Sequence, residues 1–112
     1  MANQPVDVEF KGIWFWKKLK AKPSPRPASL NDSIVWQVRE NFENATLSFP
    51  NSEEIFGAGT PDFQDFPKSG LISRPVLGKP KLKTPYRYTV FAKIDGEQWQ
   101  AEGNSPPEVI IQ

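Results

Sequence analysis

The chain has 112 residues, enough for one domain with a single buried core, and it contains no histidine and no cysteine. Those two absences exclude histidine-based hydrolytic triads, thiolate nucleophiles, disulfides, and zinc, copper or haem sites ligated by these residues. With 38% hydrophobic and 24% charged residues and a net charge of +1, the composition is that of a globular protein with no bulk field toward nucleic acid or membrane.

Twelve prolines and seven glycines predict many short elements and turns, and fourteen aromatic residues suit strands. In chain order, Val6, Val8 and Phe10 alternate as one strand face, and Trp14 and Trp16 share their parity. Gly12 interrupts that run and predicts a bulge or bend between two strand pieces. A helix over Ile13–Lys22 is rejected, because the stretch has no apolar stripe at 3.6-residue spacing. Lys22-Pro-Ser-Pro-Arg-Pro27 has the composition of a stiff linker between strands, or of a polyproline ligand for an aromatic groove.

Ile34, Trp36 and Val38 alternate with Gln37 and Arg39, which predicts a half-buried strand. Asn41-Phe-Glu-Asn44 reads as a turn, after which Ala45, Leu47 and Phe49 restart the alternation until Pro50. Pro50–Pro85 carries six prolines and four glycines and is expected to wrap the sheets as a long connection. Within it, a one-turn helix fits Ser52–Ile55 with Asn51 or Ser52 as cap. Short strands are expected near Glu54–Phe56 and Gly70–Ser73, with Phe56, Phe63, Phe66 and Leu71 as anchors. The strongest local signal is a hairpin: Tyr86, Tyr88, Val90, Ala92 and Ile94 alternate, Asp95-Gly96 turns, and alternation resumes through Trp99 and Ala101. Val109–Ile111 predicts a last buried strand.

This pattern predicts an all-β chain, a single β-sandwich domain over residues 1–112, antiparallel or mixed, with one long irregular connection. Ile34-Val-Trp-Gln-Val38, Tyr86-Arg-Tyr-Thr-Val90, Asp95-Gly96 and Pro107-Glu-Val-Ile-Ile111 resemble segments of the cupredoxin-like and immunoglobulin-like sandwiches found among small bacterial proteins. The resemblance covers the second half of the chain better than the first and concerns core and turn positions, so it implies fold and not activity. Copper-binding members of such folds use two histidines and a cysteine, so it implies kinship with members that lack a copper site.

Charge is segregated along the chain. Lys11, Lys17, Lys18, Lys20, Lys22 and Arg26 come without an acid, and Glu43, Glu53, Glu54, Asp62 and Asp65 come without a base. Lys68, Arg74, Lys79, Lys81, Lys83, Arg87 and Lys93 are again basic only. Trp14-Phe-Trp16-Lys-Lys-Leu-Lys20 could stack on bases while its ammonium groups meet phosphates, or it could lie at a lipid headgroup boundary. The plainer reading makes the two tryptophans core and the lysines a solvated strand end that guards an edge. The acids Glu53, Glu54, Asp62 and Asp65 match no calcium loop and read as a solvated acidic segment, with carboxylate catalysis the least favoured alternative. Gly57-Ala-Gly59 is not a phosphate loop, and Asn31-Asp-Ser33 and Asn44-Ala-Thr46 match the glycosylation acceptor pattern by chance.

The function expected is therefore a non-catalytic binding module for a protein partner or a second copy of itself, with no cofactor and no metal. Its candidate contact residues are Trp14, Trp16, Lys17, Lys18, Lys20, Phe63 and Phe66. The alternative is a binder of single-stranded nucleic acid or an anionic surface through the two basic segments. The N-terminal residues show no secretory leader and no apolar run spans a bilayer, so a cytoplasmic location is expected.

Overall fold

The computed structural model describes residues 2–12, 17–101 and 106–112. Its elements in chain order open with β1 (Asn3–Lys11), β2 (Lys18–Lys22), β3 (Arg26–Ala28), β4 (Ser33–Val38) and β5 (Asn44–Ser48). The helix α1 (Ser52–Phe56) follows, then β6 (Phe63–Asp65), β7 (Leu71–Pro75), β8 (Pro85–Arg87), β9 (Thr89–Ile94), β10 (Glu97–Gln100) and β11 (Glu108–Ile111). The all-β expectation holds, but hydrogen bonding divides the strands into three sheets. The first runs β2-β1-β4-β7, the second β10-β9-β5-β6 and the third β3-β11-β8. Among the described residues no helix is long and apolar enough to cross a membrane.

The first sheet is mixed: β1 lies antiparallel to β2 and parallel to β4, and β4 lies antiparallel to β7. The second is antiparallel throughout. The third takes β3 from the chain leaving the first sheet and β8 from the chain entering the second, with β11 between them. Prolines sit where no ladder N–H is required: Pro27, Pro75 and Pro85 on edge strands, and Pro5 ahead of the point where β2 joins β1. The linker at residues 23–25 joins β2 to β3, and its Lys22–Pro23 and Ser24–Pro25 bonds are cis.

Alternation places the core as expected. Val6, Val8, Ile34, Trp36, Val38, Ala45, Leu47, Phe49, Tyr88, Val90, Ala92 and Ile94 are all buried, as are Val109 and Ile111. Asp95 (φ 51°) and Gly96 (φ 77°) both take the left-handed conformation that a two-residue hairpin needs between β9 and β10. Gly12 (φ 95°) forms a bend directly after β1, as expected, and β2 pairs antiparallel with β1, Lys18 opposite Lys11. Three expectations need correction. Glu54–Phe56 is helical and not extended: the Ser52 hydroxyl donates to the Phe49 carbonyl at 2.6 Å and the Glu54 amide donates to the Asn51 carbonyl, which closes a turn. Its helical spacing puts the neighbours Ile55 and Phe56 both into the core. Phe63 and Leu71 are not anchors, because they face outward from their strands and are 67% and 42% exposed.

Asp32 ties the start of β1 to the turn before β4. Its carboxylate accepts hydrogen bonds from the Ala2 amide (3.0 Å), the Gln4 side chain (3.1 Å) and the Ser29 amide (3.0 Å). Gln4 in turn accepts a hydrogen bond from the Arg26 guanidinium. These donors, the Ser29 amide foremost, hold the Asp32 carboxyl below its ordinary value. Gly78 is a different constraint. A Cβ there would collide with the Glu54 carbonyl and the Ile55 backbone, because the Gly78 amide donates to the Ile55 carbonyl at 2.8 Å.

Two outcomes follow. Because the Asp32 pKa is depressed on folding, its contribution is complete above the ordinary carboxylate pKa of 3.8 and is lost as pH falls through the folded value. Urea unfolding at acidic pH should show that loss, and Asp32→Asn should flatten this part of the profile. Gly78→Ala should destabilise by about 1–3 kcal/mol in the same assay, since backbone has to shift to admit the methyl group.

Candidate binding surfaces

The β2 lysines lie on an exposed edge. Leu19 and Ala21 point inward, while Lys18, Lys20 and Lys22 point out along the edge strand of the first sheet. The register sets Lys20 opposite Glu9 and Lys22 opposite Asp7, so acids stand beside this basic segment in space although none does in sequence. Glu9 pairs with Lys11 at 2.9 Å and Asp7 with Arg39 at 3.0 Å. Lys17 is also engaged, with its ammonium 5.5 Å from the centroid of the Phe10 ring, which meets Trp99 edge-to-face at 4.8 Å. Trp14 and Trp16 lie outside the described residues.

The second basic segment is not uniformly exposed or unpaired. Arg87 pairs with Glu108 and Lys93 with Glu43, each at 3.6 Å, and Arg74 is buried. The acidic segment is engaged in hydrogen bonds to turns and to a neighbouring strand. The Asp62 carboxylate accepts the Ser52 amide at 3.1 Å, Asp65 accepts the Thr46 hydroxyl at 2.8 Å, and Glu43 accepts the Gly96 amide at 2.8 Å. Among the described residues no group of three or more acids converges as a metal ligand set.

Phe63 and Phe66, alike in sequence, have opposite fates. Phe66 is 7% exposed and packs in the core, its amide donating to the Ala45 carbonyl at 2.8 Å, so its ring is not available for contact with a partner. Phe63 projects from β6 onto the outer side of the second sheet, opposite Ser48. Two residues on, Asp65 forms one wall of an open groove of about 660 Å³, with Phe42, Thr46 and Lys68 around it and Phe66 beneath. The β5–β6 bonds run from the Phe49 amide to the Asp62 carbonyl (2.7 Å) and from the Phe66 amide to the Ala45 carbonyl (2.8 Å). Antiparallel alternation then turns the backbone of Gln64 toward β5 and the N–H and C=O groups of Phe63 and Asp65 away from it, along the sheet edge.

What holds β6 in place is Arg74, which sequence reading counted among surface cations. It is 4% exposed. Its Nε donates to Gln64 Oε1, one terminal nitrogen to the Ser52 hydroxyl and the other to the Pro61 carbonyl, each at 3.0 Å. The guanidinium also lies 5.3 Å from the Phe56 ring centroid. One side chain from β7 therefore joins the first sheet to α1 and to β6 of the second. Burial lowers its pKa and Asp62 opposes the shift. Strand parity could have found it, since Arg74 stands two residues from the buried Ile72.

No protein-family model matches this chain, and no curated protein matches it.

Replacing Arg74 with alanine should cost about 2–4 kcal/mol in urea unfolding, because charge-assisted bonds are lost and buried acceptors are left unpaired. Lysine should recover only part of that, since one ammonium cannot reproduce the planar three-way fork. Amide exchange at Gln64 should rise more than at Trp36 in both variants.

Proposed function

We propose that the chain is a non-catalytic binding module, on a sandwich-like scaffold of the cupredoxin or immunoglobulin kind, that takes an extended segment of a protein partner or of a second copy along β6. The observation that carries the reading is Phe63: two-thirds exposed, on an edge strand whose outward backbone groups face away from their sheet. Covering such a ring is worth about 1.5–3 kcal/mol. A strand added beside β6 would gain main-chain hydrogen bonds and set alternate side chains over Phe63 and toward the groove beside Asp65.

A comparison of edges within the molecule supports this reading. β2 carries Lys18, Lys20 and Lys22 outward, the usual guard against edge pairing, whereas β6 carries Phe63 and Asp65. A large hydrophobic ring on an edge without such a guard favours recognition. The nucleic-acid alternative draws less support, because Glu9 and Asp7 stand opposite the β2 lysines and Lys17 rests on Phe10.

Light scattering across a concentration series, and selection of peptides from a random displayed library, test the two partner types. Phe63→Ser should abolish whichever association is found while changing stability by less than about 0.5 kcal/mol, as expected for an exposed position. Association that survives Phe63→Ser would refute the reading, as would a protein that neither self-associates nor selects peptides.

A further inference from the structure

The segment from Leu77 to Lys83 reads Leu-Gly-Lys-Pro-Lys-Leu-Lys and shares no residue with the Phe63 surface. Leu77 is 62% exposed and Leu82 51%, and Lys79, Lys81 and Lys83 are exposed as well. Among the described residues these three lysines form no ion pair, unlike Lys11, Arg39, Arg87 and Lys93. Glu54 is the acid placed beside the Tyr86 hydroxyl at this loop, and it too forms no ion pair with them.

The loop is held from below. The Gly78 amide donates to the Ile55 carbonyl (2.8 Å), the Lys81 amide to the Tyr86 hydroxyl (2.7 Å) and the Lys83 amide to the Ile111 carbonyl (2.7 Å). The Asn31 amide, bonded to the Val76 carbonyl at 2.9 Å, brings the half-exposed Leu30 to the same end of the chain's path. Backbone atoms are thus tied down while aliphatic and ammonium groups are turned out, so docking costs side-chain more than backbone ordering entropy.

We propose that this loop docks on an anionic lipid surface, with Leu77 and Leu82 entering the headgroup boundary and Lys79, Lys81 and Lys83 meeting the lipid charges. Charge complementarity selects an anionic partner, and the aliphatic tips select lipid over nucleic acid, which is gripped by stacking on aromatic rings. Three lysines and two leucines give weak, peripheral and salt-reversible attachment, since each lysine near such a surface contributes about fivefold in partitioning.

The test is cosedimentation of the whole protein with phosphatidylserine-containing vesicles and with pure phosphatidylcholine vesicles at low ionic strength. Binding should be confined to the anionic vesicles and should weaken as salt is raised. Replacing Lys79, Lys81 and Lys83 with glutamine should lower it on the order of a hundredfold. Leu77→Ser with Leu82→Ser should lower it by about tenfold or more, with the circular-dichroism spectrum unchanged in both variants. No binding to the anionic vesicles overturns the proposal. So does binding that the leucine changes leave intact, or single-stranded RNA held as tightly through the same lysines, since either would identify a charge-only or nucleic-acid site. Phe63→Ser should leave vesicle binding unaltered, which separates this surface from the β6 edge.

Discussion

Trp36 is the side chain around which the aromatic centre of the core is assembled. It comes from β4 in the first sheet, is fully buried, and meets Phe49, Phe56 and Tyr88 edge-to-face at 6.1, 6.1 and 5.7 Å. Phe49 follows β5, Phe56 ends α1, and Tyr88 stands at the break between β8 and β9. Phe49 and Tyr88 stack at 5.5 Å, which closes the set. Packing of this kind adds about 0.5–1.5 kcal/mol per aromatic pair beyond the area it hides. It also has a cost, because the buried Trp36 Nε1 and Tyr88 hydroxyl have no hydrogen-bond partner among the described residues. Burial pushes the Tyr88 phenol far above its ordinary value, and the nearby indole opposes this only weakly, without reaching it in hydrogen-bond geometry. Ring packing outweighs polar satisfaction at this centre.

With the centre fixed, differences in chemistry are left to the strand edges and connections. The first sheet ends in β2, covered by lysines, and the second ends in β6, a strand of three residues that could not hold its position by β5 pairing alone. Arg74 supplies the missing restraint by bonding the Gln64 side chain, while Phe63 on the outer side is two-thirds exposed. A buried cation on one face of a strand is therefore what allows an exposed aromatic ring on the other to be held still. The rigidity of the edge and its availability have the same cause.

Much of this was legible in the residues. Alternation at Ile34–Val38, Ala45–Phe49 and Tyr86–Ile94 identified the inward faces, because a period of two reflects backbone geometry and needs no knowledge of neighbours. The Asp95-Gly96 turn was legible for a similar reason, since two consecutive positive φ values limit the residues that fit. Which strands pair was not legible. β1 joins β4 in parallel across the intervening β2 and β3, and the break at Tyr88 that sends β8 to the third sheet leaves the alternation undisturbed. Pro50–Pro85 resisted for a related reason. Its apolar residues are placed by distant bonds, Phe66 to Ala45 and Gly78 to Ile55, so Phe63 and Phe66 look equivalent until β5 is laid beside them. Arg74 was misread because residue type was weighed ahead of parity.

A net charge of +1 conceals an unequal division of labour between acids and bases. Asp32, Glu43, Asp62 and Asp65 each accept a hydrogen bond from a backbone amide or a hydroxyl, so these acids act as clasps for turns and, at Asp65, between strands. Asp7 and Glu9 sit in ion pairs on β1. Glu43 also meets Lys93, at 3.6 Å, but pairing of this kind costs a long lysine stem its rotamer entropy. Among the described residues Lys79, Lys81 and Lys83 form no ion pair, although Glu54 lies near the Tyr86 hydroxyl at the same loop. A net charge near zero and a local cationic loop are compatible because bonded groups of both signs, Arg74 and Asp32 among them, serve the fold while Lys79, Lys81 and Lys83 stay at the surface.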